Sequence, residues 1–293
     1  MKWLRLKQRV VWLLIAAVAF SQSPSDVQVE KIASGYGYLE GPAWSRENFL
    51  IFSDLPRNKI LKLTPGEGLE DLRSNSGGAN GNTYDAAGRL YTCEGRGRRV
   101  VRQDKKGRIE VLAERYQGKR LNAPADIVVR KDGEIYFTDP AFGSQQDTRE
   151  LDFYGVYHVS RKGALDVVAK PKGRPHGIAL SPNGRILYVS NADERNVRAY
   201  DLDKAGAASN ERVLIDGTPG VPGGIRTSED GNLYVAANAI LVYSPQGKLL
   251  NTYTLPEKPS NCAFGDGDLR GLYVTARTSL YRIRLEVKGN LQY

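Results

Sequence analysis

Methionine and cysteine are scarce in this sequence of 293 residues, which contains one methionine and two cysteines. A single methionine beside 31 glycines and 16 tyrosines argues against a helical bundle and favours many short strands and turns. The cysteines, Cys93 and Cys262, are 169 positions apart, a spacing that does not show whether they pair. We expect both to be buried as small hydrophobic side chains.

Long hydrophobic runs are missing as well, since the apolar stretch at residues 10–20 has only 11 residues. A stretch of that length is too short to cross a bilayer comfortably, so no stable membrane insertion is expected. Four basic residues precede it and small residues follow it, a pattern typical of a cleavable secretory signal. We predict a signal peptide at residues 1–23 and a single exported domain, periplasmic or extracellular, at residues 24–293.

The charge balance is ordinary once that segment is set aside. Residues 1–23 carry four basic and no acidic groups, so without them the formal net charge falls from +9 to +5. Nothing in this balance indicates a nucleic-acid partner. A local basic cluster, Arg96, Arg98, Arg99 and Arg102, either attracts anions or forms a solvated strand edge.

An internal repeat organises the rest of the chain. Six segments share a small polar entry, an apolar run, a turn with glycine or aspartate, and an alternating apolar strand. They occupy residues 40–54, 80–94, 125–139, 176–191, 223–238 and 261–276. Their first residues are separated by 40, 45, 51, 47 and 38 positions, a period that suits a four-stranded propeller blade.

Each repeat is interpreted as a β-hairpin. Dipeptides such as Asn183-Gly184 supply residues that tolerate positive φ at the turn. Two further strands follow each hairpin, for example at residues 99–103 and 109–113. The chain is therefore predicted to be an all-β, six-bladed propeller of four-stranded antiparallel blades, a closed ring that leaves few exposed sheet edges.

The propeller geometry predicts where a site would form. Because the innermost strand of each blade lines the central channel, the first residues of the repeats should gather at one end of it. This axial column is Glu40, Asn80, Ala125, His176, Gly223 and Asn261. The ends of the second strands should lie just behind it, and they are Asp54, Glu94, Asp139, Asn191 and Asn238. Such oxygen-rich groups suit Ca²⁺, Mg²⁺ or Mn²⁺, although Asp and Asn at strand ends also cap turns.

Four segments carry a more specific pattern: EGPAW at 40–44, TDPAFG at 138–143, LDFYGVY at 151–157 and RPHGIALSPNGRILYVSN at 174–191. Together they resemble the senescence-marker-protein, gluconolactonase and luciferin-regenerating-enzyme family, and the similarity runs from about residue 30 to the end. The resemblance implies a six-bladed propeller that hydrolyses a sugar lactone or related ester at an axial divalent cation. In such a reaction the metal polarises the carbonyl, and an aspartate acts as general acid–base on the proton of the attacking water.

The same resemblance implies metal ligands at four positions of the axial column. Glu40 is retained, but Ala125, His176 and Gly223 stand where the family has Asn, Asn and Asp. Alanine and glycine offer no ligand atom, while a neutral imidazole binds softer metals such as zinc. Loss of the acid–base carboxylate at position 223 is expected to cost about 10²–10⁴-fold in rate.

Three interpretations stay open. The chain is a lactonase whose Ca, Mg, Mn or Zn ion is held by recruited ligands, or an enzyme of altered chemistry that uses His176 as base or ligand. The third is a non-catalytic propeller that binds a small molecule or a partner protein on the same face. The catalytic candidates are His176 and Asp126. The metal candidates are Glu40, His176, Asn80, Asn261 and Asp139.

Overall fold

The computed structural model describes residues 28–291, so the predicted signal peptide lies outside the part described. Within it are 26 β-strands and a short 3₁₀ helix, Gly143–Thr148. None of its helices has the length and apolar character needed to cross a membrane.

Six four-stranded antiparallel sheets form the blades, and each blade runs from an inner to an outer strand. Blades 1 and 2 contain β2 (Leu39–Ser45), β3 (Phe49–Asp54), β4 (Lys59–Thr64) and β5 (Gly68–Ser74), then β6 (Ala79–Tyr84), β7 (Leu90–Glu94), β8 (Arg99–Gln103) and β9 (Ile109–Ala113). A two-stranded hairpin follows, β10 (Arg115–Tyr116) with β11 (Lys119–Arg120).

The remaining blades repeat the same order of strands. Blades 3 and 4 contain β12 (Ile127–Val129), β13 (Ile135–Asp139), β14 (Gly155–Val159) and β15 (Leu165–Ala169), then β16 (Pro175–Leu180), β17 (Ile186–Asn191), β18 (Asn196–Leu202) and β19 (Ala208–Ile215). Blades 5 and 6 contain β20 (Ile225–Thr227), β21 (Leu233–Ala236), β22 (Ile240–Tyr243) and β23 (Leu249–Tyr253), then β24 (Pro259–Gly265), β25 (Gly271–Ala276), β26 (Ser279–Arg284) and β1 (Val29–Ala33).

The ring is closed by the first strand of the described chain. Strand β1 pairs with β26, with Val29 opposite Ile283, so blade 6 is built from both ends of the sequence. This closure leaves each blade covered by two neighbours. The six-bladed propeller predicted from the repeat is confirmed.

The predicted turns and outer strands are confirmed in detail. Gly184 sits in its hairpin turn at φ 67°, a left-handed conformation that glycine adopts without steric cost. Strands β8 and β9 occupy the residues predicted for them. Blade boundaries could therefore be read from turn chemistry and the alternation of apolar residues.

Apolar side chains fill the spaces between blades. Trp44 of blade 1 stacks on Tyr273 of blade 6 with ring centroids 5.6 Å apart. Both cysteines are free and fully buried in such interfaces, as predicted, and Cys262 packs against Tyr234 and Phe264. Burial raises the pKa of the Cys262 thiol to about 12, so this thiol stays protonated.

Side-chain hydroxyl groups join neighbouring blades around the channel. Thr138 Oγ1, at the end of β13, donates to the backbone oxygen of His176 in the next blade at 2.5 Å. Ser260 Oγ joins blade 6 to blade 1 by donating to the Leu39 carbonyl at 2.6 Å. These bonds hold the first residues of the inner strands in place, which is where the axial column lies.

The inner strands also approach so closely that some positions exclude any side chain. A Cβ atom at Gly177 would lie 2.2 Å from the backbone oxygen of Gly223 in the adjacent blade. Two backbones in contact cannot yield to such an atom without moving apart. Glycine after the column residue is therefore a packing requirement of the channel.

Replacing Gly177 by Ala should lower the free energy of unfolding by about 1–3 kcal/mol, because the added methyl group separates two blades. Urea unfolding followed by tryptophan fluorescence measures this change. Gly267→Ala is the matched control, since a Cβ atom there meets nothing within 4 Å. Equal stability of the two variants would show that the blades adjust freely at the channel.

Candidate active site

The strand register shows which residue of each blade lies at the mouth of the channel. In blade 4 the irregular start of the inner strand is at Pro175, just before His176, and the equivalent residue of blade 6 is Pro259. Ser260 therefore corresponds to His176, and Asn261 lies one residue further along. The sequence repeat aligned Asn261 with His176, one residue away from the structural equivalent, Ser260. Asn261 occupies the position that glycine holds in most other blades, which caused this shift.

A cavity of about 340 Å³ opens at this end of the channel and is called the axial cavity below. Its volume lies in the range of small-molecule sites. Three predicted residues, Glu40, Asn80 and His176, line it together. The rest of its wall is formed by Tyr38, Leu55, Phe142, Ala192, Val221, Pro222, Gly223, Lys258, Pro259 and Ser260.

Glu40 is almost fully buried and directs one carboxylate oxygen towards His176. Its Oε2 atom accepts hydrogen bonds from the Gly41 N–H at 3.0 Å and from Asn261 Nδ2 at 3.1 Å. Its Oε1 atom lies 3.7 Å from His176 Nε2. Burial raises the pKa of Glu40 above its usual value, and the proximity of His176 offsets only part of that increase.

His176 is held by its backbone and by one aromatic neighbour. Thr138 Oγ1 fixes its carbonyl, and Phe142 meets its ring edge-to-face with centroids 5.3 Å apart. Its side chain keeps 18% of its surface exposed, enough to meet a ligand in the cavity. The imidazole is thus fixed in place but open on one side.

Asn80 lines the axial cavity with its amide group unused. Its carbonyl oxygen accepts a hydrogen bond from Ser53 Oγ at 2.8 Å, which fixes the backbone. Within residues 28–291 no hydrogen bond engages its side chain. The Asn80 amide is therefore free to donate to a bound molecule.

Asp126 lies outside the lining of the axial cavity. Its Oδ1 atom accepts from the Ile127 N–H at 3.0 Å, and its Oδ2 atom lies 3.3 Å from both the Ile178 N–H and Arg226 Nη1. The carboxylate is 1% exposed and ion-paired inside the channel. This arrangement favours a structural bond between blades over contact with a substrate.

Asp139 also lies away from the cavity wall, at the end of β13. Its Oδ2 atom accepts from the Asn122 N–H at 2.8 Å, so it caps the neighbouring loop. Other strand-end residues do the same: Asp54 accepts from the Gly37 N–H and Asn191 from the Asp193 N–H. The turn-capping role anticipated for strand ends is confirmed at these positions.

The residues at the channel mouth do not fit a calcium ion. Calcium takes about six to eight oxygen ligands, several of them carboxylates, whereas Glu40 is the one carboxylate that residues 28–291 place in the cavity wall. No group of three or more His, Cys, Asp and Glu side chains suited to a metal occurs in residues 28–291. Glu40 and His176 alone are also one protein ligand short of a catalytic zinc site.

Gly223 shows that the aspartate expected from the family resemblance has no room at this position. A Cβ atom there would lie 2.3 Å from the carbonyl oxygen of Ser260. Any side chain at residue 223 therefore requires the inner strands of blades 5 and 6 to separate. The sequence has no aspartate at residue 223, and the backbone around this residue leaves no space for one.

Several cavity residues were missed by sequence reasoning. Phe142 and Lys258 lie in loops between strands, where no repeat position identifies them. Tyr38 immediately precedes β2, and burial together with the nearby Glu40 raises the pKa of its hydroxyl to about 12. The TDPAFG segment that carried the family resemblance contains Phe142, so that motif was the one available signal.

The fold is a six-bladed propeller, and a cavity with the volume of a small-molecule site opens at one end of its channel. The family described as the SMP-30/gluconolactonase/LRE-like region matches residues 39–278. A gluconolactonase of Zymomonas mobilis is 33% identical over an alignment covering 89% of this chain and 82% of that protein. The chain belongs to the SMP-30/gluconolactonase/LRE-like family.

Solved structures agree with this assignment. A gluconolactonase from Xanthomonas campestris superposes with a TM-score of 0.83 at 31% identity, covering 89% of this chain and 91% of the other. A calcium-binding regucalcin from Agrobacterium tumefaciens shares the fold, with a TM-score of 0.78 at 18% identity over 90% of this chain and 95% of the other.

Replacing Asp139 by Asn should change how stability depends on pH. Burial raises the pKa of Asp139 from 3.8 to about 7, so the folded state binds this proton more tightly than the unfolded chain does. The wild-type contribution is therefore present at acid pH and is lost as the pH rises towards 7.

Urea unfolding near pH 5 and near pH 8 tests this dependence. Relative to wild type, Asp139→Asn should gain about 2–3 kcal/mol between the two conditions, because it has no proton to lose. Parallel pH profiles for the two proteins would contradict the assignment of a protonated carboxyl at residue 139.

Proposed function

We propose that the chain hydrolyses a sugar lactone in the axial cavity, with Glu40 and His176 as the reacting pair. The observation that carries the proposal is the 3.7 Å separation of Glu40 Oε1 and His176 Nε2 in the wall of a cavity of ligand size. Similarity to gluconolactonases of Z. mobilis and X. campestris supports the substrate class. An imidazole beside a carboxylate is suited to general base catalysis.

The pair is arranged to hold a water molecule. The two facing atoms are too far apart for a direct hydrogen bond, but a water oxygen fits within about 2.8 Å of both. His176 accepts a proton from that water as its oxygen attacks the lactone carbonyl. The imidazolium then gives the proton to the ring oxygen as the ring C–O bond breaks, and one water is consumed per hydroxy acid formed.

Glu40 and Asn80 stabilise the charges that develop during attack. Glu40 Oε1 lies 3.7 Å from His176 Nε2, so it faces the positive charge that develops on the imidazole as it takes the proton from water. The free amide of Asn80 donates to the oxyanion that forms on the carbonyl oxygen. Tyr38 and Phe142 supply aromatic faces against which the apolar side of a sugar ring packs.

The substitutions His176→Gln and Glu40→Gln should each lower kcat/KM for glucono-1,5-lactone by about 10²-fold or more, because each removes one member of the pair. A pH-stat assay follows the acid released. His158→Gln is the matched control: this second histidine lies 2.6 Å from Glu134, in blade 3 and outside the cavity wall.

The control should keep the wild-type rate per folded molecule, with folding checked by circular dichroism. Full activity of His176→Gln would overturn the proposed pair. Aldonate binding without turnover of any lactone would favour the non-catalytic propeller instead. Ala125 and Gly223, which leave the implied ligand set incomplete, are the observations behind that second candidate.

Lactone hydrolysis by this chain should not require calcium. The cavity wall supplies one carboxylate and one imidazole, too few protein ligands to hold the ion against a chelator. After dialysis against EDTA, the protein should retain most of its activity and contain no stoichiometric metal by elemental analysis. Activity that disappears with EDTA and returns with one added divalent ion would show that the cation expected from the resemblance is present.

Export remains part of the proposal and rests on the basic residues and the apolar stretch of residues 1–23. Cys93 and Cys262 are compatible with an oxidising compartment, because both thiols are buried away from oxidants.

A further inference from the structure

A second cavity adjoins the axial cavity and is called the side cavity below. It has a volume of about 280 Å³ and shares Leu55, Asn80 and Phe142 with the axial cavity. The rest of its wall is formed by Pro56, Gly78, Gly95, Arg96, Ala123 and Gln145. The two cavities are therefore neighbours, and Asn80 belongs to the wall of both.

Among the described residues that line the side cavity, Arg96 is the one with a charged side chain, and that side chain is exposed to solvent. A Cβ atom at Gly78 would lie 2.6 Å from Arg96 Cγ, so the arginine stem packs directly on that glycine. Its Nη2 atom donates to the Leu55 carbonyl at 3.2 Å. The remaining N–H donors of the guanidinium group are left for a ligand.

The other arginines of the same cluster all have acidic partners. Arg98 lies 3.7 Å from Glu150, and the partners of Arg99 and Arg102 are Glu94 and Glu110, at 2.6 and 2.5 Å. Within residues 28–291 no carboxylate is paired with Arg96. Three arginines of this cluster therefore form ion pairs at a strand edge, which is one of the two alternatives given for it. Arg96 is the member whose charge is left to attract an anion, which is the other alternative.

Gln145 adds a neutral donor to the same wall. Its Oε1 atom accepts from the Phe142 N–H at 3.4 Å, which leaves the Nε2 group without a hydrogen-bond acceptor in the described part of the chain. The side cavity therefore presents a guanidinium and an amide N–H with no acidic group beside them. Donors of this kind bind phosphate, sulfonate and carboxylate groups.

We propose that the substrate is a sugar lactone bearing a negatively charged substituent, which Arg96 and Gln145 bind in the side cavity. This inference rests on the proposed function, because it places the reacting carbonyl beside Glu40 and His176. The two cavities meet at Asn80, so the charged substituent and the carbonyl occupy opposite sides of that residue. Arg96 is accordingly a specificity-determining residue and takes no part in the proton transfers.

Lys258 provides a control for long-range electrostatic attraction of an anionic substrate to the positive charge of the protein. It lines the axial cavity, and no carboxylate is paired with it in residues 28–291. The variants Arg96→Gln and Lys258→Gln each remove one positive charge from the same end of the channel. Long-range attraction would make their effects equal and would weaken both with added salt, whereas a specific contact makes Arg96 differ.

The test compares kcat/KM for glucono-1,5-lactone and its 6-phosphate, with a carboxylate-bearing glucarolactone as the second anionic substrate. Wild type should prefer at least one anionic lactone by about 10-fold or more. Arg96→Gln should lose about 10- to 100-fold on that substrate and stay within about twofold on the neutral lactone. Which anionic lactone is preferred identifies the charged group.

Equal kcat/KM for neutral and anionic lactones in wild type, or equal losses in Arg96→Gln and Lys258→Gln, would overturn the inference. Calorimetry with 6-phosphogluconate and gluconate separates this outcome from a failure of the proposed function. Tighter binding of 6-phosphogluconate that depends on Arg96 would support the anion site even if no lactone is hydrolysed. Equal binding of gluconate, 6-phosphogluconate and the dicarboxylate glucarate would contradict it.

Discussion

The inner strands of neighbouring blades lie so close around the channel that the backbone of one blade bonds to the backbone of the next. The Gly81 N–H donates to the Ala125 carbonyl at 2.6 Å, and the Gly224 N–H donates to the Ser260 carbonyl at 2.9 Å. A Cβ atom at Gly81 would lie 2.5 Å from the same Ala125 oxygen. Glycine is therefore required at these two positions, and the residues just before them, Asn80 and Gly223, line the axial cavity.

This packing also determines how charge is distributed along the channel. Asp126 and Asn261 occupy positions that are glycine in blades 1, 2, 4 and 5, and their side chains point into the channel. Asp126 is neutralised by Arg226, whose Nη1 atom also donates to the Ile225 carbonyl at 2.7 Å. Asn261 instead bonds to Glu40 and turns the other oxygen of that carboxylate towards His176. Glu40 and His176, the pair proposed to react with the lactone, are thus supported from inside the channel.

The repeat was enough to predict the fold, because turn glycines and apolar alternation report local backbone geometry that every blade shares. It also located Glu40, Asn80 and His176, since a position in the repeat becomes a position around the axis. It failed at Asn261, where a side chain at a glycine position shifted the repeat by one residue.

Other parts of the site depend on contacts that no repeat encodes. Phe142 and Gln145 belong to the irregular segment around the 3₁₀ helix. Arg96 differs from its neighbouring arginines in having no acidic partner among the described residues. The pairing of Asp126 with Arg226 joins residues 100 positions apart. Relations of this kind arise from tertiary packing, so the sequence pattern did not reveal them.

The central claim is that a lactone reacts between Glu40 and His176 in the axial cavity. A crystal structure of the protein with a bound aldonic acid, the product of such a reaction, tests this most directly. The product carboxylate should lie in the axial cavity, within hydrogen-bond distance of His176 Nε2 and the Asn80 amide. An aldonate bound elsewhere on the propeller, or turned with its carboxylate away from both residues, would contradict it.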